Sequence, residues 1–152
     1  MDRLQKIRQR HGAASEEVVR LRLVHLGFLL VEKVETPWRI VRGPGGRVVG
    51  AHPLRRVSGD FRAVRPGGQS VLVEVKWRDD GPLSWGDLEP HQQAALGLHR
   101  SAGGLSLVCW CCPLGLSMFE PSKAVAAGWR KGQPLQWTVA RALSADWSVD
   151  RI

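Results

Sequence analysis

The chain of 152 residues has no tyrosine, only three phenylalanines and two methionines, and three cysteines, Cys109, Cys111 and Cys112, crowded into four positions. An odd, crowded cysteine set excludes a disulfide framework. It also lacks the paired spacing and second cluster of a structural zinc site, so these side chains read as small buried apolar groups in a strand. No apolar run approaches the ~20 residues of a membrane span, so no membrane partner is expected. Met1–His11 is basic and polar, without the apolar stretch of a secretory signal. A cytoplasmic protein, nucleoid-associated or acting in a host cell if viral, is the expectation. There is no internal repeat and no low-complexity linker. A 43% apolar content and this length suit a single domain over 1–152 with a real core.

Charge is abundant but uneven. Residues 1–65 carry fourteen Lys/Arg against six Asp/Glu, whereas residues 66–152 carry eight of each. The whole excess of +8 therefore sits in the first half. Seventeen of the 22 basic residues are arginine, the side chain shaped for bidentate phosphate contacts. A polyanion such as nucleic acid is the natural partner for that half, although solubility alone also favours surface charge. Arg3, Lys6, Arg8 and Arg10 form a basic N-terminal arm over 1–11, mobile or a short helix. Arg55 and Arg56 are further DNA-binding candidates.

Along the chain, Ser15 is placed to cap a helix running to about Leu26 and stopped by Gly27, with Val18, Val19, Leu23 and Leu26 at helical spacing. Phe28–Val31, Trp38–Val41 and Arg47–Val49 read as short strands, the last two joined by the turn at residues 43–46. Val71–Trp77 is the clearest strand: Val71, Val73, Val75 and Trp77 share one face, Leu72, Glu74 and Lys76 the other. A helix is expected over Asp87–His99 with Pro90 in its first turn, then an apolar strand Leu105–Cys111 and a short helix Ser122–Trp129. The last twenty residues give no clear pattern, and 122–152 is assigned loosely as a C-terminal extension. This order predicts an α/β domain with a mixed central sheet flanked by helices. Most of the seven tryptophans are expected in core or dimer packing, with base stacking as the alternative.

The chemistry gathers around Ser58-Gly59-Asp60-Phe61 and Val73-Glu74-Val75-Lys76. Glu74 and Lys76 are two apart on a strand and share a face. Asp60 precedes that strand, and a hairpin would bring it beside Glu74. Two carboxylates at one point make a hard-oxygen site suited to Mg²⁺ or Mn²⁺, where water activation and phosphate charge neutralisation are available. Lys76 would then orient the water or offset developing charge. The same pattern also describes an amphipathic strand with Glu and Lys in solvent. On the first helix, Glu16 lies near the buried face, but Glu17 is an adjacent rival that periodicity does not separate, and both also suit a helix N-terminus. Gln92 shares a face with Ala95 and Leu96 and so points inward, able to hydrogen-bond a metal-bound water or a phosphate. His91 reads as a partly exposed surface residue.

These motifs, taken in order, resemble the Holliday-junction resolvases of the PD-(D/E)XK nuclease superfamily, the bacterial RecU-type and the archaeal ones. Gly12-Ala13-Ala14-Ser15-Glu16 is similar to the family's Gly-x-x-x-Glu, which favours Glu16 over Glu17. Thr36-Pro37-Trp38-Arg39-Ile40-Val41 is similar to a Thr-Pro strand entry of the bacterial group. Pro82-Leu83 through His91-Gln92, then Gly103-Gly104 and an apolar strand, follow the bacterial pattern. The resemblance spans roughly residues 10–120; no single motif is specific, but their order and spacing are.

It implies a restriction-endonuclease-like fold and a homodimer that nicks opposite strands of a four-way junction. Carried over by position, Glu16, Asp60 and Glu74 would bind metal, Lys76 would be the catalytic lysine, Gln92 a supporting residue and Ser58 a phosphate or metal-water contact. The stretch Gly43–Arg56 is short where bacterial members carry a junction-entering stalk. The alternatives are a duplex-cutting repair or restriction-like nuclease of the same superfamily, and a non-catalytic branched-DNA binder. An RNA-binding module is disfavoured by the lack of an exposed aromatic sheet motif.

Overall fold

The computed structural model describes residues 3–147 apart from Arg56 and Ser58, with side chains described from Arg10 onward. The first element is a helix, α1, over Arg3–His25. It begins twelve residues before the expected cap at Ser15. Ser15 is interior to the helix and buried, and its hydroxyl donates to the carbonyl of His11 at 2.7 Å, one turn back. A serine bonded in this way is accommodated within a helix rather than starting one. Residues 3–11 are thus the first turns of α1 instead of a separate arm. The far end is as expected. Gly27 takes φ +80, and the Phe28 amide reaches back to the Leu23 carbonyl at 3.0 Å, a left-handed glycine stop.

Among the described residues, five strands form the central sheet in the order β1-β4-β5-β6-β7. They are β1 (Leu29–Lys33), β4 (Phe61–Val64), β5 (Ser70–Trp77), β6 (Leu105–Cys112) and β7 (Gly115–Phe119). The sheet is mixed: β5 and β6 run parallel, with Val71 opposite Leu105 and Trp77 opposite Cys111, while the other neighbours are antiparallel. A parallel pair needs a crossover. Here α2 (Pro90–Ser101) supplies it, starting at Pro90 after a 3-10 turn at Trp85–Asp87. β6 is buried along nearly its whole length, which explains its unbroken apolar sequence.

The period of two in β5 divides the core between the sheet's faces. Val71 and Val73 pack with Phe61, Leu107 and Cys109 against Val19 and Leu23 of α1. Leu72 lies on the opposite face, in a cluster with Leu83, Leu88, Leu96, Val108, Trp110, Phe119 and Trp129. Most packed residues beyond Pro121 belong to this second cluster, whereas Trp147 packs on the first, edge-on to Phe28. The short helices α3 (Pro121–Ala126) and α4 (Trp137–Leu143) contribute Ala124 and Ala140, and Leu135 is buried beside them. Strand β7 and helix α4 were not expected from the sequence. Trp110 and Trp129 are core residues at 1% exposure, Cys109 and Cys111 are buried free thiols, and Trp38 alone of the expected packing aromatics is largely exposed.

The remaining strands, β2 (Trp38–Arg42) and β3 (Val48–Pro53), pair only with each other, around a turn at Pro44–Gly46. All their residues are exposed. No described helix is long and apolar enough to cross a membrane.

Trp129 ties the C-terminal segment to the core: its indole N–H donates to the Leu83 carbonyl at 3.0 Å, and its ring meets Trp85 and Phe119 edge-on. Trp129→Ala is expected to cost about 3–5 kcal/mol, read as a lower urea midpoint for one cooperative transition. A loss under about 1 kcal/mol would mean that the segment is not part of the folding unit.

Candidate active site

The β4–β5 pairing brings Asp60 to Glu74. Asp60 sits just ahead of β4, and its amide bonds the Val73 carbonyl at 2.7 Å while its carbonyl accepts from Val34 at 2.9 Å. Its backbone is therefore fixed between β1 and β5. Its Oδ2 accepts the Val75 amide at 2.7 Å. Glu74 is 3% exposed, and its Oε2 accepts the Gly59 amide at 3.2 Å. Each carboxylate is thus oriented by a backbone amide from the other's neighbourhood.

Gly59, which the motif spacing alone does not single out, is the tightest point of this turn. It takes φ +83, and a Cβ there would lie 2.4 Å from Leu72 Cδ1. Glycine is favoured both by the left-handed backbone and by the approach to β5.

Lys76 and Gln92 complete the cluster. Lys76 Nζ lies 3.1 Å from Glu74 Oε1 and donates to Gln92 Oε1 at 2.8 Å. Gln92 Nε2 donates in turn to Glu74 Oε1. Gln92 Oε1 also accepts the Glu89 amide at 2.9 Å, in a capping box at the start of α2. One side chain therefore joins the helix end, the lysine and the buried glutamate.

The two helix-one candidates separate. Glu17 points to solvent and bonds Arg20 at 2.6 Å, whereas Glu16 turns toward β1 and pairs with Lys33 at 2.6 Å. Lys33 is a rim residue that no sequence motif marked. Glu16 stands near enough for its charge to act on Asp60, yet among the described residues no group of three His, Cys, Asp or Glu side chains converges as a metal site. Arg10 and Arg55 are exposed. The side chains of Arg3, Lys6 and Arg8, and all of Arg56 and Ser58, lie outside the described residues.

Burial, with the nearby Glu74 charge next in weight, pushes the Asp60 carboxyl up to about 6. Glu74 is also raised, by burial, against the opposing pull of Lys76. Ionising both groups is costly in the metal-free protein, and a divalent cation would relieve that cost. No described residue donates to Asp60 Oδ1. The donor set fits Mg²⁺ or Mn²⁺: hard carboxylate oxygens, two in number, as suits an ion that keeps several waters and takes one or two protein carboxylates.

An Asp60 pKa of about 6 folded, against ~3.9 unfolded, means that the native state holds more protons between about pH 4 and 6. Stability contributed by this group accordingly falls as pH rises through that window. Asp60→Asn is expected to melt a few degrees above the wild type at pH 7.5 in EDTA and to show no such advantage at pH 4. Mg²⁺ or Mn²⁺ should raise the wild-type Tm more than the variant's. A variant no more stable at pH 7.5 than at pH 4, relative to wild type, would contradict the assigned strain.

No protein-family model matches the chain, and no curated protein sequence matches it significantly. Solved structures do. The Holliday junction resolvase Hjc of the archaeal hyperthermophile Archaeoglobus fulgidus superposes with a TM-score of 0.55 at 18% identity, over 86% of this chain and 92% of that one. The expected mixed-sheet α/β architecture is present, and this chain is similar in fold to an archaeal Holliday junction resolvase.

Proposed function

We propose that the protein is a metal-dependent endonuclease acting in DNA recombination and repair, which resolves four-way junctions by paired nicks as a homodimer. The observation that carries this reading is the burial of Glu74 beside Asp60, with Lys76 on the same strand face. A solvent-facing amphipathic strand would leave Glu74 exposed; at 3% exposure, hydrogen-bonded on both oxygens, it is a built site. The resolvase-like fold and the Arg-rich first half support the choice of a DNA substrate.

A bound Mg²⁺, or Mn²⁺ in its place, would supply an activated water and offset charge on the scissile phosphate. Asp60 and Glu74 would hold it, each oriented by the amide that fixes its second oxygen. Lys76 keeps a cation against the reacting phosphate, positioned by Gln92, and offsets charge that develops there. Glu16, paired with Lys33 at the rim, would serve the same ion, directly or through a bound water. Phosphate contacts by the basic half would give salt-sensitive affinity, with junction shape as the discriminator. One face of the β2–β3 hairpin exposes Trp38, Ile40 and Val49, and an isolated hairpin is marginal in water, which favours self-association through such surfaces.

The decisive assay compares a labelled four-way junction with a matched duplex, in Mg²⁺ or EDTA. Wild type is expected to nick the junction in symmetric pairs with Mg²⁺ only. Asp60→Asn, Glu74→Gln and Lys76→Ala should each lose at least ~100-fold in rate, while Glu17→Gln should not. Equal cutting of both substrates would indicate a duplex nuclease of the same superfamily. Junction binding without cutting under any divalent metal would leave a branched-DNA-binding protein.

A further inference from the structure

The sheet face that carries Asp60, Glu74 and Lys76 continues away from them into a cleft of about 500 Å³. Arg62 follows Asp60 by two residues along β4, so the two share a face. Ser70 precedes Glu74 by four on β5, and His99 follows Gln92 by seven on α2. These offsets correspond to ~13 Å along a strand and ~10 Å along a helix. Both lead from the carboxylates toward the same place. Arg55 lines the cleft from the segment after β3, together with Arg62, Ser70, Ala95 and His99.

The floor of this cleft is built. His99 Nε2 meets Ser70 Oγ at 3.0 Å, and His99 Nδ1 meets Ser106 Oγ at 3.1 Å. Ser106 gives its own proton to the Leu96 carbonyl at 2.7 Å. The ring lies where a Cβ on Gly104 would stand, 2.3 Å from its nearest atom, so it packs flat on that glycine. Such a network fixes the imidazole and the Ser70 hydroxyl at the cleft wall. Among the described residues, two exposed guanidinium groups flank it and none of those lining it is a carboxylate. Glu32 stands opposite Arg62 across the β1–β4 pair, but the two form no ion pair. The neighbouring concavity at Arg65, Arg100 and Lys123 differs: Lys123 is held by both Glu120 and Asp146.

We propose that Arg55 and Arg62, above a floor made by Ser70 and His99, form a second phosphate-binding subsite that grips the DNA backbone a few nucleotides from the scissile bond. The subsite rests on the nuclease reading and extends it: a strand crossing the carboxylates would be held along the same sheet face. Guanidinium groups suit phosphate oxygens in bidentate geometry, and the Ser70 hydroxyl, its proton given to His99 Nε2, holds the floor beneath them. Its distance from the reacting atoms makes it a determinant of strand register rather than of chemistry.

The test is binding of the full chain to a fluorescent four-way junction in EDTA, from 50 to 200 mM KCl, beside cleavage by wild type in Mg²⁺. Arg55→Ala and Arg62→Ala should each weaken binding several-fold and flatten the slope of log K against log salt by about 0.9. Arg62→Lys, which keeps the charge, should retain the slope. Ser70→Ala, which removes neither a charge nor a free donor, should leave the slope unchanged. Lys123→Ala, which removes the same charge from an already paired position, should change neither. If wild type binds and cuts the junction but the arginine variants behave as Lys123→Ala does, the subsite is refuted and the nuclease reading stands. If wild type neither binds nor cuts any DNA, both fall together.

Discussion

Two carboxylates side by side in a protein interior repel each other and resist desolvation, and most of what surrounds Asp60 and Glu74 serves to hold them there. The amides of Val75 and Gly59 each take one carboxylate oxygen, and Lys76 with Gln92 crowds the other oxygen of Glu74. Even so, the balance leaves Asp60 raised to about 6. A divalent cation, on the proposed function, would relieve that strain. The opposite face of the same strand is packed by Val19 and Leu23 of α1.

The topology distributes these duties. An antiparallel hairpin sets Asp60 against Glu74, since Phe61 lies opposite Val73. The parallel step from β5 to β6 requires a helix to cross over, and the start of that helix delivers Gln92 to the lysine. Gln92 is at once a capping residue and a hydrogen-bond partner of Lys76 and Glu74, so the helix end and the cluster keep a common geometry. Gly59 is the point where this arrangement has least freedom. Its positive φ strains any side chain and a Cβ would have to push the end of Leu72 aside, and its amide is one of the groups that orient Glu74.

Charge operates on a longer scale than the cluster. The excess positive charge of the first half is carried largely by arginine on exposed positions, including Arg10, Arg55 and Arg62. The face of β4 and β5 that bears the carboxylates also bears Arg62 and Ser70, so one alternating pattern presents acidic, basic and hydroxyl groups along a single line. The acidic residues of the second half are partly spent on local pairs, as at Lys123 and at Arg78 with Asp87.

The sequence by itself determined what depends on short-range periodicity. The alternation in Val71–Trp77 placed Glu74 and Lys76 on one face and apolar residues on the other, and helical spacing turned Gln92 inward, because side-chain direction follows directly from backbone repeat. It also identified Leu105–Cys111 as a buried strand. Tertiary structure decided the rest. Periodicity left Glu16 and Glu17 equivalent; the packing of α1 against β1 sends Glu16 to Lys33 and leaves Glu17 with Arg20. Ser15 carries the chemistry of a cap, yet lies within a helix whose stability comes from Val19 and Leu23 against the sheet. Strand β7 and helix α4 have little local signal: β7 forms by pairing with β6, and α4 packs with Trp137 edge-on to Trp110. For Glu16 and for α4 the deciding partners, Lys33 and Trp110, lie outside any local window of the sequence.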